Sequence, residues 1–141
     1  MEENTLKIGL KGHKEETVTE ELTAMASGSG PARVYATPKM IALMERTCWQ
    51  TAREQLPEGR DTVGTMVNIR HLAATPVGME VRCDCELIHI DRRALTFSVK
   101  VCDEAGIIGE GIHERFVIDR EKFQAKTDAK RVTRSPEVPG P

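Results

Sequence analysis

Glu45, Thr37 and His71 are the residues whose types and positions suit hydrolytic chemistry. Glu45 lies within YATPKMIALMERTCWQTAREQL, Tyr35 to Leu56, which reads as one long helix. On a wheel of about 100° per residue, Met44, Cys48, Ile41, Ala52, Leu56, Trp49 and Ala42 cover one broad arc. Arg46, Arg53, Gln50, Glu54 and Thr47 cover the other side. Glu45 falls in the apolar arc, between Ala52, Ile41 and Leu56. A carboxylate facing a core is costly unless it is paired or used. Either backbone groups or an arginine satisfy it, or desolvation raises its pKa and readies it for acid–base or nucleophilic work.

Thr37 opens the same helix, just ahead of Pro38. It is either a plain N-cap or a hydroxyl that attacks a carbonyl or orients a water. Eight residues of helix separate it from Glu45, a rise of about 12 Å, so the two do not touch within one chain and must meet through a shared substrate. His71 closes VGTMVNIRHL, which reads as a strand. Strict alternation puts His71 with Val63, Thr65, Val67 and Ile69 on one face, taken as inward, and Gly64 with Met66 and Asn68 on the other. His71 is either a hydrogen-bonded inward histidine or a proton carrier near neutral pH. Gly64 has no side chain to block approach, so its N–H can reach a carbonyl oxygen. His113, in IHER, has no second ligand at metal spacing and reads as a structural or interface residue, so no metal site is expected.

The elements that must hold these groups are legible in outline. Residues 5 to 19 begin with Leu6, Ile8 and Leu10 alternating with polar positions, the pattern of a half-buried strand. Glu20 to Ala26 suggests a short helical turn, and SGSGPA, Ser27 to Ala32, a flexible loop that either covers a site at the helix start or merely connects two elements. Pro57 and Gly59 stop the long helix. Met79 to Asp91 is the clearest strand, with Val81, Cys83, Cys85 and Leu87 alternating against Arg82, Asp84 and Glu86. Leu95 to Val101 alternates in the same way after the IDRRA reversal. Ile107 to Asp119 is a last strand, in which Gly109 and Gly111 suggest a bulge or a close backbone approach. One strand, one long helix and a four-strand meander give an α+β fold, an antiparallel sheet with its apolar face on one helix. Gln124 onward lacks apolar periodicity and is predicted to be disordered, so the expected domain is 1–124 with a tail at 125–141.

Composition narrows the function classes. The chain has 141 residues, 39% hydrophobic and 30% charged, which suits one soluble domain. A net charge of −2 and only five aromatics argue against a nucleic-acid binder. No apolar run approaches the ~20 residues that span a bilayer, and the N-terminus lacks a signal-peptide core, so a cytoplasmic protein is expected. Cys48, Cys83, Cys85 and Cys102 contain no CxxC pair and read as reduced structural thiols.

The segments YATPKMIALMERTCW, VGTMVNIRHLAATPVGMEV and EAGIIGEGIHERFVIDREKF, taken in order, resemble the fluoroacetyl-CoA thioesterase group of single-domain hot-dog thioesterases. The likeness runs from about Val34 to Lys126. It implies a hot-dog fold, an antiparallel sheet wrapped around one long central helix. It also implies catalytic Thr37, Glu45 and His71, with the Gly64 amide helping to hold the thioester oxygen. A homodimer with its active sites at the interface is implied as well, with an acyl-CoA substrate and no cofactor. The fluoroacetyl-specific enzyme carries phenylalanines in the loop before the helix, where this chain has SGSGPA. The expected activity is therefore hydrolysis of a short- or medium-chain acyl-CoA to CoA and the free acid. The alternative is a non-catalytic acyl-CoA-binding or sensing module on the same fold. A hot-dog hydratase ranks last, because its Asp/His signature is missing from the helix.

Overall fold

The computed structural model describes residues 5–131. In chain order the elements are β1 (Lys11–Thr17), α1 (Ala24–Ser27), α2 (Thr37–Arg53), β2 (Arg60–His71), β3 (Glu80–Asp91), β4 (Ala94–Cys102), β5 (Ile107–Asp119) and α3 (Arg120–Asp128). The five strands form one antiparallel sheet in the order β1-β3-β4-β5-β2. This is the expected α+β arrangement of one long helix and a sheet that wraps it.

The alternation in β3 does what the sequence suggests. Val81, Cys83, Cys85 and Leu87 are buried against α2, while Glu80, Arg82 and Asp84 face outward. From β4, Leu95, Phe97, Val99 and Val101 join the same core. The helix meets them with Met40, Leu43, Met44, Cys48 and Ala52. Thr47 and Thr51 are buried too, which the helical wheel does not suggest for Thr47. Each hydroxyl donates to the carbonyl four residues back, at 2.7 and 2.6 Å, so the polar atom is satisfied and the methyl packs inward. A Cβ on Gly12 would stand 1.7 Å from Thr51 Oγ1, so the absent side chain lets α2 settle onto β1. The four cysteines are free thiols.

Two expectations are corrected. The first strand does not begin in the Leu6–Leu10 run but at Lys11. Gly9 adopts φ +97°, and Leu10 N–H donates to Lys7 O, so the chain turns there; Leu6 and Leu10 still pack on the core while Ile8 is exposed. At the other end, residues 125–131 are not an extension of a disordered tail. α3 runs on to Asp128, started by Asp119, whose side chain accepts from Lys122 N–H, and a single 3₁₀ turn follows at Ala129–Arg131. An N-cap and local propensity suffice for a helix that buries almost nothing, so apolar periodicity misses it. The rest of the predicted tail, residues 132–141, lies outside the described residues.

Candidate functional site

Thr37 and His71 meet directly. Ala36, not Thr37, occupies the N-cap position, Thr37 is the first helical residue, and Pro38 follows it. The hydroxyl is therefore not spent on capping, and Thr37 Oγ1 lies 2.7 Å from His71 Nδ1. Two sets of backbone bonds fix the pair. Tyr35 N–H donates to Thr75 O at 2.9 Å, tying the chain just ahead of α2 to the loop after β2. Leu72 N–H donates to Ile108 O at 2.6 Å, holding the end of β2 on β5. His71 Nε2 is buried and has no hydrogen-bond partner among the described residues. Burial holds the imidazole pKa below its ordinary value, which keeps the ring neutral and able to take a proton.

The pair opens into a cleft of about 360 Å³, lined also by Ser29, Val34, Ala73 and Ala74. The glycine-serine loop therefore borders the site instead of merely connecting elements. A paired Arg33 and Glu20 brace its far end, with Nε–Oε1 at 2.8 Å.

A second cluster forms around Gly64, because β2 is not a regular strand. Its pairing with β5 slips between Gly64 and Met66, leaving Thr65 as a bulge. One extra residue reverses the alternation upstream of it. Gly64 opposes Arg115, Val67 opposes His113, and His71 opposes Gly109, so Gly64 shares the face of His71. The expectation that Gly64 and His71 point to opposite faces is thereby corrected.

Three side chains converge over Gly64. A Cβ there would lie 3.3 Å from Glu45 Oε2, 3.3 Å from His113 Cε1 and 3.4 Å from Arg115 Nη1. Glu45 is half-buried at the edge of the core-facing stripe, not in its middle, since Leu43, Thr47 and Thr51 take the central positions. His113 is buried, with Nδ1 2.8 Å from Met66 O, a contact that makes Nδ1–H the donor and leaves Nε2 to accept from Arg115 Nη1 at 3.1 Å. Arg115 also donates from Nε to Thr62 Oγ1 at 2.7 Å and from Nη2 to Thr62 O at 3.0 Å. Burial lowers the pKa of both His113 and Arg115, while the nearby Glu45 charge acts in the opposite sense on each. The cluster is a carboxylate facing a locked guanidinium across a strand position that bears no side chain.

The four expected site residues thus fall into two clusters, Thr37 with His71 and Glu45 with Gly64. His113 and Arg115 belong to the second, although neither stands out in the sequence as a site residue. The signal was present: Gly109, Gly111, His113 and Arg115 repeat at period two on the inward face of β5, a face that would otherwise be apolar. Both glycines admit close approach. A Cβ on Gly109 would fall 2.5 Å from Met40 Sδ, and one on Gly111 2.3 Å from Asn68 O. Among the described residues no group of three or more His, Cys, Asp or Glu is arranged to hold a metal ion.

Residues 18–121 match the sequence profile of a family described as fluoroacetyl-CoA-specific thioesterase. The fluoroacetyl-CoA thioesterase of Streptantibioticus cattleyicolor is 40% identical over 97 residues, which is 69% of this chain and 70% of that protein. A solved structure of a fluoroacetyl-CoA thioesterase superposes with a TM-score of 0.83 at 32% identity, covering 90% of this chain and 98% of that one. A thioesterase-superfamily protein of Thermus thermophilus gives 0.83 at 29% identity, over 90% and 94%. A hot-dog-like protein from Thermanaerovibrio acidaminovorans shares the fold with a TM-score of 0.82 at 19% identity, over 89% and 93%.

Proposed function

The chain belongs to the fluoroacetyl-CoA-specific thioesterase family, which makes it a thioester hydrolase acting on an acyl-CoA, and we propose that its substrate is a short- or medium-chain acyl-CoA. The observation that carries this reading is the cleft beside Thr37 and His71. Ala24, Ser29, Ala73 and Ala74 line it beside Val34, Tyr35 and Leu72, and the glycine-serine loop brings no aromatic ring to it. That leaves room for an acyl chain longer than two carbons.

The active unit is a homodimer. Within one chain Thr37 and Glu45 are two helical turns apart, and β2, which carries Gly64 and His71, is an edge strand. Antiparallel pairing of two copies sets Thr37 and His71 of one protomer against Glu45 and Gly64 of its partner. The Gly64 N–H donates to the thioester oxygen as negative charge develops on it. The Glu45 carboxylate takes the proton from the attacking water, with the Arg115 charge nearby. His71, neutral and oriented by its contact with Thr37, takes that proton from Glu45 and passes it to the departing CoA thiolate, which leaves as the thiol. The four free cysteines accord with work in the reducing cytoplasm, and among the described residues no helix is long and apolar enough to cross a membrane.

The test is a panel of acetyl-, butyryl-, hexanoyl-, octanoyl- and fluoroacetyl-CoA, followed by thiol release. Turnover of at least one unsubstituted acyl-CoA, with no preference for fluoroacetyl over acetyl, is expected. Tight binding across the panel without thiol release would instead indicate an acyl-CoA-binding module.

A further inference from the structure

A second concave surface lies at the end of the sheet away from His71, and the hydrolytic chemistry does not use it. A groove of about 700 Å³ runs between α3 and the outer face of β5. Phe116 and Ile118 form its floor, Phe123 of α3 overhangs it, and Lys122 and Lys126 line it. It continues past Phe116 into a smaller hollow of about 380 Å³ under the β3–β4 turn, where Arg92 and Arg93 stand. Arg92 holds φ +57°, a left-handed conformation that a non-glycine residue adopts at some cost, and it makes this two-residue reversal possible.

The groove differs from the rest of the surface in two ways. The chain as a whole carries a net charge of −2, yet cations dominate here. Of the two carboxylates on the groove, Asp91 sits 3.5 Å from Arg92, and Asp119 is taken up by the α3 N-terminus through Lys122 N–H at 3.0 Å. Phe116 and Phe123 are each 40% exposed, two aromatic faces left bare beside the cations. Flat apolar rings flanked by ammonium and guanidinium groups suit a purine ring with phosphates attached. The groove also adjoins the site: Arg60, which lines it, begins β2, and Gly64 follows four residues later, about 13 Å of extended strand. α3 supplies Lys122 and Lys126 of the groove's cations, and the family profile ends at residue 121, so Lys122, Phe123 and Lys126 lie beyond the stretch the profile matches.

We propose that this groove binds the adenosine 3′,5′-bisphosphate end of the CoA substrate, with the purine against Phe116 and Phe123 and the phosphates on Arg92, Arg93, Lys122 and Lys126. The proposal rests on the acyl-CoA hydrolase assignment. It makes the groove an affinity site, which acts on KM and leaves the chemical step alone.

The experiment compares butyryl-CoA with butyryl-pantetheine, which has the same thioester and no nucleotide, in the full-length protein and in two variants, Lys122→Ala/Lys126→Ala and Arg92→Ala/Arg93→Ala. These side chains are on the surface, so both variants are expected to fold. The expected result is a KM for butyryl-CoA raised about tenfold or more in each variant, with kcat unchanged and butyryl-pantetheine kinetics unaffected. Adenosine 3′,5′-bisphosphate should bind the unaltered protein by calorimetry, weaken with added salt, and bind each variant about tenfold less tightly. An unchanged KM for butyryl-CoA, or an equal rise for both thioesters, overturns the proposal. If the protein hydrolyses neither thioester, the hydrolase assignment fails by itself. The calorimetric arm then decides the groove: loss of nucleotide affinity in the variants supports it, and no nucleotide binding by the unaltered protein overturns it.

Discussion

Gly64→Ala separates the chemistry from the fold more cleanly than any other single change. The added methyl would sit 3.3 Å from Glu45 Oε2 and His113 Cε1 and 3.4 Å from Arg115 Nη1. Those contacts are tight by a few tenths of an ångström; the Glu45 carboxylate ends a flexible side chain that can move, while Arg115 is held by its bonds to Thr62 and His113. His113 can move less, since both of its ring nitrogens are bonded. Gly64 is not among the glycines at positive φ, so alanine fits the backbone there. Overpacking costs about 1–3 kcal/mol, and the stiffer unfolded chain returns about 0.4–1 kcal/mol. The net loss of stability should be about 1 kcal/mol, a fall in Tm of a few degrees for a chain of this size. Catalysis should suffer far more. The methyl occupies the space over the amide where the thioester oxygen must sit, and losing one oxyanion donor costs about 10²–10³ in kcat, equivalent to roughly 3–4 kcal/mol. Thiol release from the preferred acyl-CoA gives kcat, and a thermal melt on the same sample gives Tm. A kcat within threefold of the unaltered protein would refute the place given to Gly64.

Other outcomes follow from the same geometry. Equal mixing of subunits carrying Glu45→Gln and His71→Ala should restore about a quarter of full activity, because half the dimers are mixed and one of their two sites is intact; if the mixture stays inactive, each site is built within one chain. The folded-state pKa values of His71 and His113 lie below the ordinary 6.5 because both rings are buried. The unfolded chain therefore binds the extra protons first, so this stability is full above pH 6.5 and is lost as the pH falls below it. The Tm should drop between pH 7 and pH 5, and His113→Gln should flatten that drop even if its Tm at pH 7 is lower. Asp103→Ala should cost about 2–3 kcal/mol in urea unfolding, since it strands the Thr75 hydroxyl and the N–H groups of Ala105 and Gly106. A shift below 0.5 kcal/mol would show that the Thr75–Asp103 bond does not hold the loop after His71.

Much of this was legible in the residues themselves. The long helix, the β3 and β4 alternations and the close approach at Gly109 and Gly111 follow directly from spacing. Thr37 and His71 were identifiable as a pair only through family order, since 34 residues separate them. Three features escaped for definite physical reasons. A single bulge at Thr65 reverses which face Gly64 occupies, and no local pattern in VGTMVNIRH marks it. His113 read only as a structural or interface residue, and Arg115 did not stand out, because their partners, Met66 O, Thr62 and each other, lie on or across a strand pairing that has to be known first. α3 carries no apolar stripe, so only its Asp119 cap announces it. Glu45 was noticed because it sat wrongly on the wheel. It lies less deep than the wheel implied, and its setting beside Arg115 and Gly64 says more about its work than its burial does.

The most direct test of the central claim is kcat for Glu45→Gln and His71→Ala, measured by thiol release on the acyl-CoA that the unaltered protein turns over fastest. Each should fall by about 10²–10⁴, the range expected for loss of a positioned general acid or base, with the Tm of both variants close to that of the unaltered protein. Full activity in both variants would contradict the account and move the chemistry away from α2 and β2.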